Sequence, residues 1–484
     1  MHRDIMGNRG SKDDTATPVS TTIDTSEDQA FGKHDFPFEN LVMEGGGVRG
    51  VAHIGALMVL ESAGILKNIT RVAGTSSGAI FATLVALKLT CKQMAEELDI
   101  DIKKMVFTGG IKKLGKPFMF FQRLGWDTGE GFYEYCGSVL ERHTRTENQP
   151  GNPDITFQEL YERTKIELCI VVTNLNQQRE VYFHVKTAAD LPIRKALRMS
   201  MSLPALFQPV VEDYFGVKEY FVDGGMACNY PLHCFDGWWL SMKEEDSFFK
   251  KLVLGLADLN KALERSERFE PVNPKTIGIM LYSDDDIELF EQEFWNRLTP
   301  EEREYDRPTT DTEAAREYYK KKEKKKKEIN RKEIREYVNR FLTALKNKKI
   351  NPDSPIDRKE LDSYFVEDGT MTDAERRDFV RQLFDQMDAD KNGQLTYTEI
   401  EQSFGKNLVQ WLLTHVGWSE EPHDKRWRMV DYLKKYLDLF FVRNKKFFHQ
   451  AEDVHRTIGV DTKYVKVTSF DLEDEDKMFL YKVC

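Results

Sequence analysis

Hydrophobic and polar residues follow two spacings between residues 40 and 90, one typical of buried strands and one typical of helices. The run "NLVM" at residues 40–43 predicts a short strand, and the spacing in "VAHIGALMVLESAG" predicts a helix that ends at Gly64. "NITRVAG" predicts the next strand and "SGAIFATLVALKL" the next helix. Two strand–helix repeats in succession are typical of a parallel α/β sheet. "IELCIVVTNL" and "LVLGLAD" predict further buried strands.

The pattern changes on both sides of this region. Residues 1–36 are polar and rich in Ser, Thr and Asp, which predicts a disordered tail. From Thr299 charged residues dominate. Arg316–Arg340 contains twelve Lys or Arg and five Asp or Glu, a net charge of +7. Asp353–Gln402 contains six Lys or Arg and fourteen Asp or Glu, a net charge of −8. Helical apolar spacing returns in "RWRMVDYLKKYLDLFFVRNKKFF".

Composition narrows the class of protein. The 484 residues are 40% hydrophobic and 31% charged, and the net charge of −11 argues against a general nucleic-acid binder, which needs a basic surface. The six cysteines form no C-x-x-C pair, so we expect no zinc or redox motif and a reducing compartment. No apolar run approaches the roughly 20 residues of a membrane span, and the N-terminus has no apolar signal region. Gly7 fits an N-myristoylation pattern only if translation began at Met6, so we interpret this segment as a polar tail.

The stretch "VAGTSSGAIFATLVAL" places a serine between a predicted strand and a predicted helix. Gly74–Gly78 reads G-T-S-S-G, which fits the G-x-S-x-G motif of a nucleophile elbow with Ser76 at its centre. Such a turn aims the N–H groups and the positive end of the helix at a developing oxyanion. Gly74 and Gly78 allow the strand and helix backbones to cross closely. In isolation the motif fits a serine that merely caps a helix equally well.

Three glycines follow the first predicted strand in "EGGGVRG", residues 44–50. Gly45, Gly46 and Gly47 free several N–H groups to converge on one anion, either a phosphate or an oxyanion. A P-loop would need a following Lys-Ser/Thr pair, and a dinucleotide site would need an acidic residue after the next strand; both are missing. We therefore interpret the glycines as an oxyanion hole, whose donors contribute roughly 3–4 kcal/mol to the transition state.

A third motif lies in "EYFVDGGMACNYPL". Asp223 ends a short predicted strand there and precedes Gly224 and Gly225. Strand ends in α/β folds carry catalytic groups, although this motif alone also fits an ordinary D-G turn. His53 follows the glycine loop, but it lies on the predicted helix and we expect it to pack there.

Together these motifs resemble the patatin-like phospholipase family. Its G-G-G-x-[KR]-G motif is met by Gly45–Gly50 with Arg49 and Gly50 in place, its elbow by Gly74–Gly78, and its D-G-[GA] motif by Asp223–Gly225. "IRKALRMSMSLPALFQPV" resembles the family's block between elbow and aspartate, where a Ser-rich turn precedes the strand to the aspartate. "RTIGVDTKYVKVTSFDLEDEDK" resembles its C-terminal portion. The resemblance covers most of the chain outside residues 299–424.

The resemblance implies a patatin-like three-layer α/β sandwich with a mostly parallel central sheet. It also implies a Ser–Asp dyad, in which Asp223 accepts the proton of Ser76 and the glycine amides hold the oxyanion. Residues 37–298 and 425–484 are expected to form the catalytic domain around an insertion at 299–424.

The insertion carries an independent motif. Asp388–Glu399 reads D-A-D-K-N-G-Q-L-T-Y-T-E, which meets every demanding position of a twelve-residue EF-hand calcium loop. Gly393 makes the sharp turn at position 6, and Leu395 at position 8 is the apolar residue that pairs with a partner loop. The candidate Ca²⁺ ligands, at positions 1, 3, 5, 7, 9 and 12, are Asp388, Asp390, Asn392, Gln394, Thr396 and Glu399.

The candidate partner loop is "KINPDSPIDRKE", residues 349–360, with Ile356 at position 8 and Glu360 at position 12. Lys349 at position 1 and Ser354 in place of the turn glycine predict that this loop binds no calcium. We therefore expect an inserted all-α EF-hand pair with one Ca²⁺ site, regulatory or structural and not catalytic.

The implied function is phospholipase A-type hydrolysis of lipid acyl esters, modulated by calcium, at a peripheral membrane surface in the cytoplasm. A neutral-lipid esterase or acyltransferase with the same dyad is one alternative, and a calcium-responsive scaffold with a vestigial hydrolase core is another. The head group, the acyl position and the oligomeric state stay open. The lysine-rich run 320–327 fits a solvated helix or a patch for anionic lipid, and its interspersed glutamates favour the helix. For the aromatics of "FMFFQRLGW" and "FDGWW", core packing is favoured over lipid contact.

Overall fold

The computed structural model describes most of the region with strand–helix patterning and parts of the insertion. The described residues are 35–98, 125–214, 216–254, 259–262, 264–283, 310–326, 355–363, 373–396, 398–400, 402, 451–467, 469 and 472–482. The predicted N-terminal tail up to residue 34, residues 118–124 of "FMFFQRLGW", residues 349–354 and the helical pattern at 426–448 lie outside them.

Strands and helices alternate through the first half of the chain, as its hydrophobic spacing predicts. The strands are β1 Asn40–Met43, β2 Arg71–Thr75, β3 Gly125–Asp127, β4 Glu167–Asn174, β5 Arg179–His184, β6 Ala205–Phe207, β7 Val210–Tyr214, β8 Val217–Asp223, β9 Thr276–Tyr282, β10 Ile356–Asp357, β11 Gln394–Leu395 and β12 Thr457–Asp461. The α-helices are α1 Ala52–Ser62, α2 Ser77–Ala86, α3 Cys91–Leu98, α4 Glu130–Thr144, α5 Phe157–Thr164, α6 Ile193–Ser200, α7 Leu259–Ala262, α8 Arg265–Phe269, α9 Glu313–Lys326, α10 Arg358–Ser363, α11 Asp373–Met387 and α12 Asp474–Lys482. Among the described helices, none combines the length and apolar character needed to cross a bilayer.

Eight strands form one mixed sheet in the order β12-β9-β1-β2-β4-β8-β7, with β5 also paired to β4. The pairs β12–β9, β9–β1, β1–β2 and β2–β4 are parallel, and the pairs that involve β5, β7 and β8 are antiparallel. The predicted α/β fold with a mostly parallel central sheet is confirmed.

Side chains of the central strands alternate between two apolar layers, because successive residues of a strand point to opposite faces of a sheet. Leu41 and Met43 belong to the larger layer with helices α1 and α2, whereas Val42 belongs to the smaller one. Residues 228–240, which include the 3-10 helix Leu232–Phe235, pack against the strands in the smaller layer together with Phe269. The sheet therefore lies between two buried layers, and the elements on its two faces differ.

One edge of β4 is shared by two strands that meet end to end. Strand β2 runs parallel to β4 and ends with Thr75 opposite Val171. Strand β8 runs antiparallel along the same edge and ends with Asp223 opposite the next residue, Val172. Because β5 occupies the other edge of β4, the end of β2 and the end of β8 are forced together. This junction brings the residue after Thr75 next to Asp223.

Residues beyond the insertion return to the same sheet. Strand β12 pairs in parallel with β9, and Val460, Tyr464 and Phe479 join the larger apolar layer. A buried ion cluster adds a polar tie, since Arg456 donates to both carboxylate oxygens of Asp236, at 2.8 and 2.7 Å. Residues after the predicted insertion therefore pack with residues before it, and the division at residues 299–424 stays a prediction.

The prediction of a buried strand at "LVLGLAD" is wrong for its described part. Residues Phe249–Leu254 form a π-helical turn, and Val253 is 64% exposed. The run contains apolar residues that alternation alone assigns to a core. Of the described apolar residues, Leu252 is half-buried and Val253 is exposed, on a turn that also contains Lys250 and Lys251.

Candidate active site

Ser76 occupies a sharp turn between β2 and α2. Its backbone has φ 52° and ψ −126°, a conformation that a non-glycine residue adopts only when its surroundings hold it there. The turn needs close backbone approaches. A Cβ on Gly74 would lie 2.2 Å from the Gly78 carbonyl oxygen, and a Cβ on Gly78 would lie 2.4 Å from the Met43 carbonyl oxygen. The predicted elbow glycines are therefore required by geometry.

The structure brings Ser76 and Asp223 into direct contact. Ser76 Oγ donates a hydrogen bond to Asp223 Oδ2 at 2.8 Å, and the Gly225 N–H donates to Asp223 Oδ1 at 2.7 Å. Asp223 is only 1% exposed and Ser76 is also buried. The Asp223 carboxylate is thus oriented by one backbone donor, with its second oxygen directed at the serine hydroxyl.

Burial changes the acidity of Asp223. Desolvation raises the pKa of its carboxyl to about 7, against the opposing effect of the hydrogen bonds from Ser76 and Gly225. A carboxylate with a pKa near neutrality is a far better proton acceptor than an exposed one, and it is suited to general-base chemistry at neutral pH.

This pKa predicts a pH profile. Asp223 can accept a proton only when ionised, so kcat/KM for a water-soluble ester should rise about tenfold per pH unit below pH 7 and level off above it. The measurement is kcat/KM between pH 5 and 9 at constant ionic strength. A rise that is complete by pH 5, as an ordinary exposed aspartate would give, would contradict the assignment of Asp223 as the base.

Two of the three glycines predicted to bind the oxyanion already donate their N–H groups within the protein. The Gly45 N–H bonds the Asn229 carbonyl oxygen at 3.0 Å, and the Gly46 N–H bonds Ser77 Oγ at 2.9 Å. Both amides serve to fix the loop, so the prediction is corrected for them. Among the described residues, no hydrogen bond uses the N–H of Gly47 or of Ser77.

The glycine loop is fixed from two sides. Gly47 has φ +54°, and a Cβ there would lie 2.4 Å from the Val467 carbonyl oxygen, which accepts the Val48 N–H at 3.1 Å. On the other side, the buried Glu44 carboxylate accepts the Leu281 N–H at 2.7 Å and Asn229 Nδ2 at 3.0 Å. The loop therefore depends on residues from both sides of the insertion.

The remaining motif residues support this geometry. Gly50 leaves room for the Ser77 hydroxyl, since a Cβ on it would lie 2.4 Å from Ser77 Oγ, and a Cβ on Gly224 would lie 2.3 Å from the Val171 carbonyl oxygen. Arg49 is buried in the 3-10 helix Gly47–Val51. His53 is fully buried and donates from Nε2 to the Glu44 carbonyl oxygen at 2.8 Å, and burial lowers its pKa to about 4. A neutral histidine in that position packs behind the loop.

Sequence reasoning missed the residues that hold the site together, among them Ser77, Ser200 and Asn229. Ser200 lies in the Ser-rich turn noted above, but nothing in its spacing indicates which atom it bonds. Asn229 follows the D-G-G motif by four residues, and its contacts to Glu44 and Gly45 exist only in the folded chain.

A second cluster of oxygen ligands lies in the insertion, directly after α11. Carboxylate oxygens of Asp388, Asp390 and Glu399 lie within 4.8 Å of one another. Gly393 has φ +80°, and the short strands β10 and β11 pair antiparallel with Ile356 opposite Leu395. These are the two residues that the sequence assigns to position 8 of the paired loops.

Comparison with known proteins places the three motifs in one family. The model of the family described as patatin-like phospholipase matches residues 41–236, which include Ser76, Asp223 and the glycine loop. Residues 41–236 are a patatin-like phospholipase domain. The match agrees with the predicted family for this part of the chain.

Similar proteins match parts of this chain at low identity. An uncharacterized protein, R571, of Acanthamoeba polyphaga mimivirus is 28% identical over 41% of this chain and 61% of its own length. The probable lipid hydrolase 463L of Invertebrate iridescent virus 6 is 26% identical over 40% of this chain and 62% of its own. The chain thus spans about three fifths of these two relatives. VipD from Legionella pneumophila is a solved structure with 18% identity and a TM-score of 0.31, covering 53% of this chain and 52% of VipD.

Proposed function

We propose that this protein hydrolyses acyl esters of lipids through Ser76 and Asp223. The observation that carries the proposal is the 2.8 Å hydrogen bond from Ser76 Oγ to the buried Asp223 Oδ2 in a patatin-like domain. A helix-capping serine or a simple D-G turn gives no reason for the two side chains to meet across the end-to-end junction of β2 and β8.

The first chemical step follows from this contact. Ionised Asp223 accepts the Ser76 hydroxyl proton as Ser76 Oγ attacks the ester carbonyl carbon. The carbonyl oxygen gains the negative charge and is stabilised by N–H donors. Gly47 supplies one donor, and Ser77, which directly follows the nucleophile at the start of α2, supplies the other.

The second step returns the proton. The tetrahedral intermediate collapses, the ester C–O bond breaks, and protonated Asp223 gives its proton to the leaving alcohol. Water then loses a proton to Asp223 and attacks the acyl-enzyme. The bond between Ser76 Oγ and the acyl carbon breaks, the fatty acid leaves, and Asp223 returns the proton to Ser76 Oγ. No histidine is required, because the raised pKa of Asp223 makes this carboxylate an adequate base near pH 7.

A lipid ester is the substrate class that the comparisons support. The family description names phospholipases, and a relative is named as a probable lipid hydrolase. The proposal is tested with vesicles of phosphatidylcholine and phosphatidylserine, by measuring released fatty acid for the wild type and for Ser76→Ala. Release by the wild type alone is expected. The proposal would be overturned if the wild type released no more acid than Ser76→Ala from phospholipid, from neutral lipid and from short-chain esters.

We further propose that Asp388–Glu399 binds one Ca²⁺ ion. The three converging carboxylates suit a hard cation with oxygen ligands, and Asn392, Gln394 and Thr396 would complete the set. Without a cation their charges repel. Inside the loop the carboxylates accept hydrogen bonds from backbone N–H groups. For example, the Gly393 N–H donates to Asp388 Oδ2 at 2.9 Å. Modulation of the enzyme by the bound ion is part of this proposal, and the ion has no part in the dyad chemistry.

The calcium proposal predicts a single site. Titration of the full-length protein by calorimetry should show one Ca²⁺ per chain, and Glu399→Gln should weaken binding by about tenfold or more because it removes a bidentate ligand. Glu360→Gln changes the corresponding residue of the partner loop and is the matched control, with unchanged binding expected. Two sites in the wild type, or equal binding by Glu399→Gln, would refute the assignment.

A further inference from the structure

A short turn at the end of α6, residues 200–202, contacts both Ser76 and Asp223. Ser200 Oγ accepts the Ser76 N–H at 2.8 Å, and Met201 Sδ lies 3.5 Å from Ser76 Oγ. The carbonyl oxygen of Ser202 accepts the Asp223 N–H at 3.0 Å. Three successive residues thus hold the nucleophile and the base from one side.

The Ser200 hydroxyl is placed at the junction that creates the site. It donates to the Val171 carbonyl oxygen at 2.7 Å, so its donor and one acceptor position are both used. Val171 is the β4 residue opposite the end of β2, and the next residue lies opposite the end of β8. Ser200 is 0% exposed, so solvent cannot replace either bond. Its hydroxyl therefore connects the nucleophile backbone directly to the strand against which Asp223 is also held.

The turn itself is held rigidly. Ser202 Oγ donates to the Arg198 carbonyl oxygen at 2.7 Å and accepts from the Arg198 guanidinium at 2.5 Å. The same guanidinium donates to the Gln208 carbonyl oxygen at 3.0 Å. These bonds hold the turn that contains Ser200, and with it the hydroxyl that accepts the Ser76 N–H.

Ser76 needs such an acceptor. Its left-handed backbone conformation is strained for a residue with a side chain, and it persists only if neighbouring groups fix it. Its N–H lies just before α2 and has no partner within that helix, so the Ser200 hydroxyl is what binds it. Rotation of this peptide would move Ser76 Oγ away from Asp223 Oδ2.

We propose that Ser200 is the positioning residue of the Ser76 elbow. The inference rests on the hydrolysis proposed above and assigns a role to a residue outside its three motifs. Ser200 touches neither the substrate nor the transferred proton. It keeps Ser76 Oγ in line with Asp223 and the incoming carbonyl, and its loss acts on kcat and leaves ester binding intact.

The test compares Ser200→Ala with Thr144→Ala. Thr144 is 4% exposed, and its hydroxyl likewise accepts one backbone N–H, from Asn152 at 2.8 Å, and donates to the Leu140 carbonyl oxygen at 2.7 Å, with the Asn152 carbonyl oxygen farther away at 3.5 Å. Both variants lose a hydroxyl that accepts a backbone N–H and donates to a backbone carbonyl, but only Ser200 bonds the nucleophile. With p-nitrophenyl butyrate, Ser200→Ala should lose about 10- to 100-fold in kcat with KM nearly unchanged, and Thr144→Ala should keep wild-type kcat.

Rates are expressed per active site, counted by reaction of Ser76 with a fluorophosphonate, so that a loss of folded protein is not mistaken for a loss of rate. The half-maximum of the pH profile should stay where the wild type has it, because Asp223 keeps its surroundings. Equal kcat per site in Ser200→Ala and Thr144→Ala would overturn the proposal. If Ser200→Ala does not fold, Ser200→Cys provides the same decision, since its weaker thiol bonds should give an intermediate kcat and a wild-type kcat would refute the role.

Failure of this inference is distinct from failure of the proposed function. If the hydrolase assignment is wrong, the wild type itself shows no activity above Ser76→Ala. If only the positioning role is wrong, the wild type is active and Ser200→Ala is as active as Thr144→Ala.

Discussion

Ser76→Ala and Asp223→Asn should each lower kcat for ester hydrolysis by roughly 10⁴-fold or more while the protein stays folded. Ser76→Ala removes the attacking oxygen. Asp223→Asn keeps the size of the side chain and the acceptor for the Gly225 N–H, but it removes the group that takes the proton. Because the two residues act in one step, the double variant should be no slower than either single variant. Losses that multiply in the double variant would contradict a shared step.

The stability of Asp223→Asn gives a readout that does not depend on activity. The pKa of Asp223 is raised in the folded protein to about 7, above its value in the unfolded chain, so the folded state binds the proton more tightly. Ionisation therefore costs stability, which the wild type loses as the pH rises from about 4 to about 7. Three pKa units correspond to at most about 4 kcal/mol.

Asp223→Asn removes that cost. Denaturant unfolding should find the variant more stable than the wild type at pH 8 and about equal to it at pH 4. Ser76→Ala keeps the buried carboxylate and is the control, without any such gain at pH 8. An Asp223→Asn variant that is less stable than the wild type at pH 8 would show that the carboxylate has a structural role.

Gly78→Ala should cost about 3 kcal/mol or more in the free energy of unfolding, or prevent folding, and should abolish activity. A Cβ on Gly78 would lie 2.4 Å from the Met43 carbonyl oxygen and 2.6 Å from the Glu44 carbonyl oxygen, both of which belong to backbone that cannot give way cheaply. The sign of the change in unfolding free energy is informative, because a Gly-to-Ala substitution within a helix normally stabilises a protein by up to about 1 kcal/mol.

Gly137→Ala in α4 is the matched control for this substitution. A Cβ there meets the end of the Arg194 side chain at 2.8 Å, and a flexible guanidinium can move aside. Urea unfolding of both variants should therefore separate them by several kcal/mol, with Gly137→Ala close to the wild type. Similar stabilities for the two variants would show that α2 does not cross β1 as closely as described.

The sequence could predict the elbow and the oxygen-rich loop because both are local. Gly74–Gly78 and Asp388–Glu399 hold their critical residues within a few positions, and turn geometry restricts which residue types fit there. Strands β1, β2 and β4 could also be predicted from the sequence, since they are continuous apolar runs whose side chains are buried on both faces of the sheet.

The distance between Ser76 and Asp223 could not be derived from spacing alone, because it depends on two strands sharing one edge of β4. The resemblance to a family supplied that pairing. Neither spacing nor resemblance indicated that the amides of Gly45 and Gly46 are consumed by Asn229 and Ser77. Such donors are lost to tertiary hydrogen bonds, which no local pattern encodes.

The central claim is that Ser76 is a nucleophile activated by Asp223. It is tested most directly by reaction with a fluorophosphonate at pH 8, followed by intact-protein and peptide mass spectrometry. The wild type should gain one adduct, located on Ser76, whereas Ser76→Ala should gain none and Asp223→Asn should react at least about a hundredfold more slowly. An adduct on another residue, or equal labelling rates for Asp223→Asn and the wild type, would contradict the account.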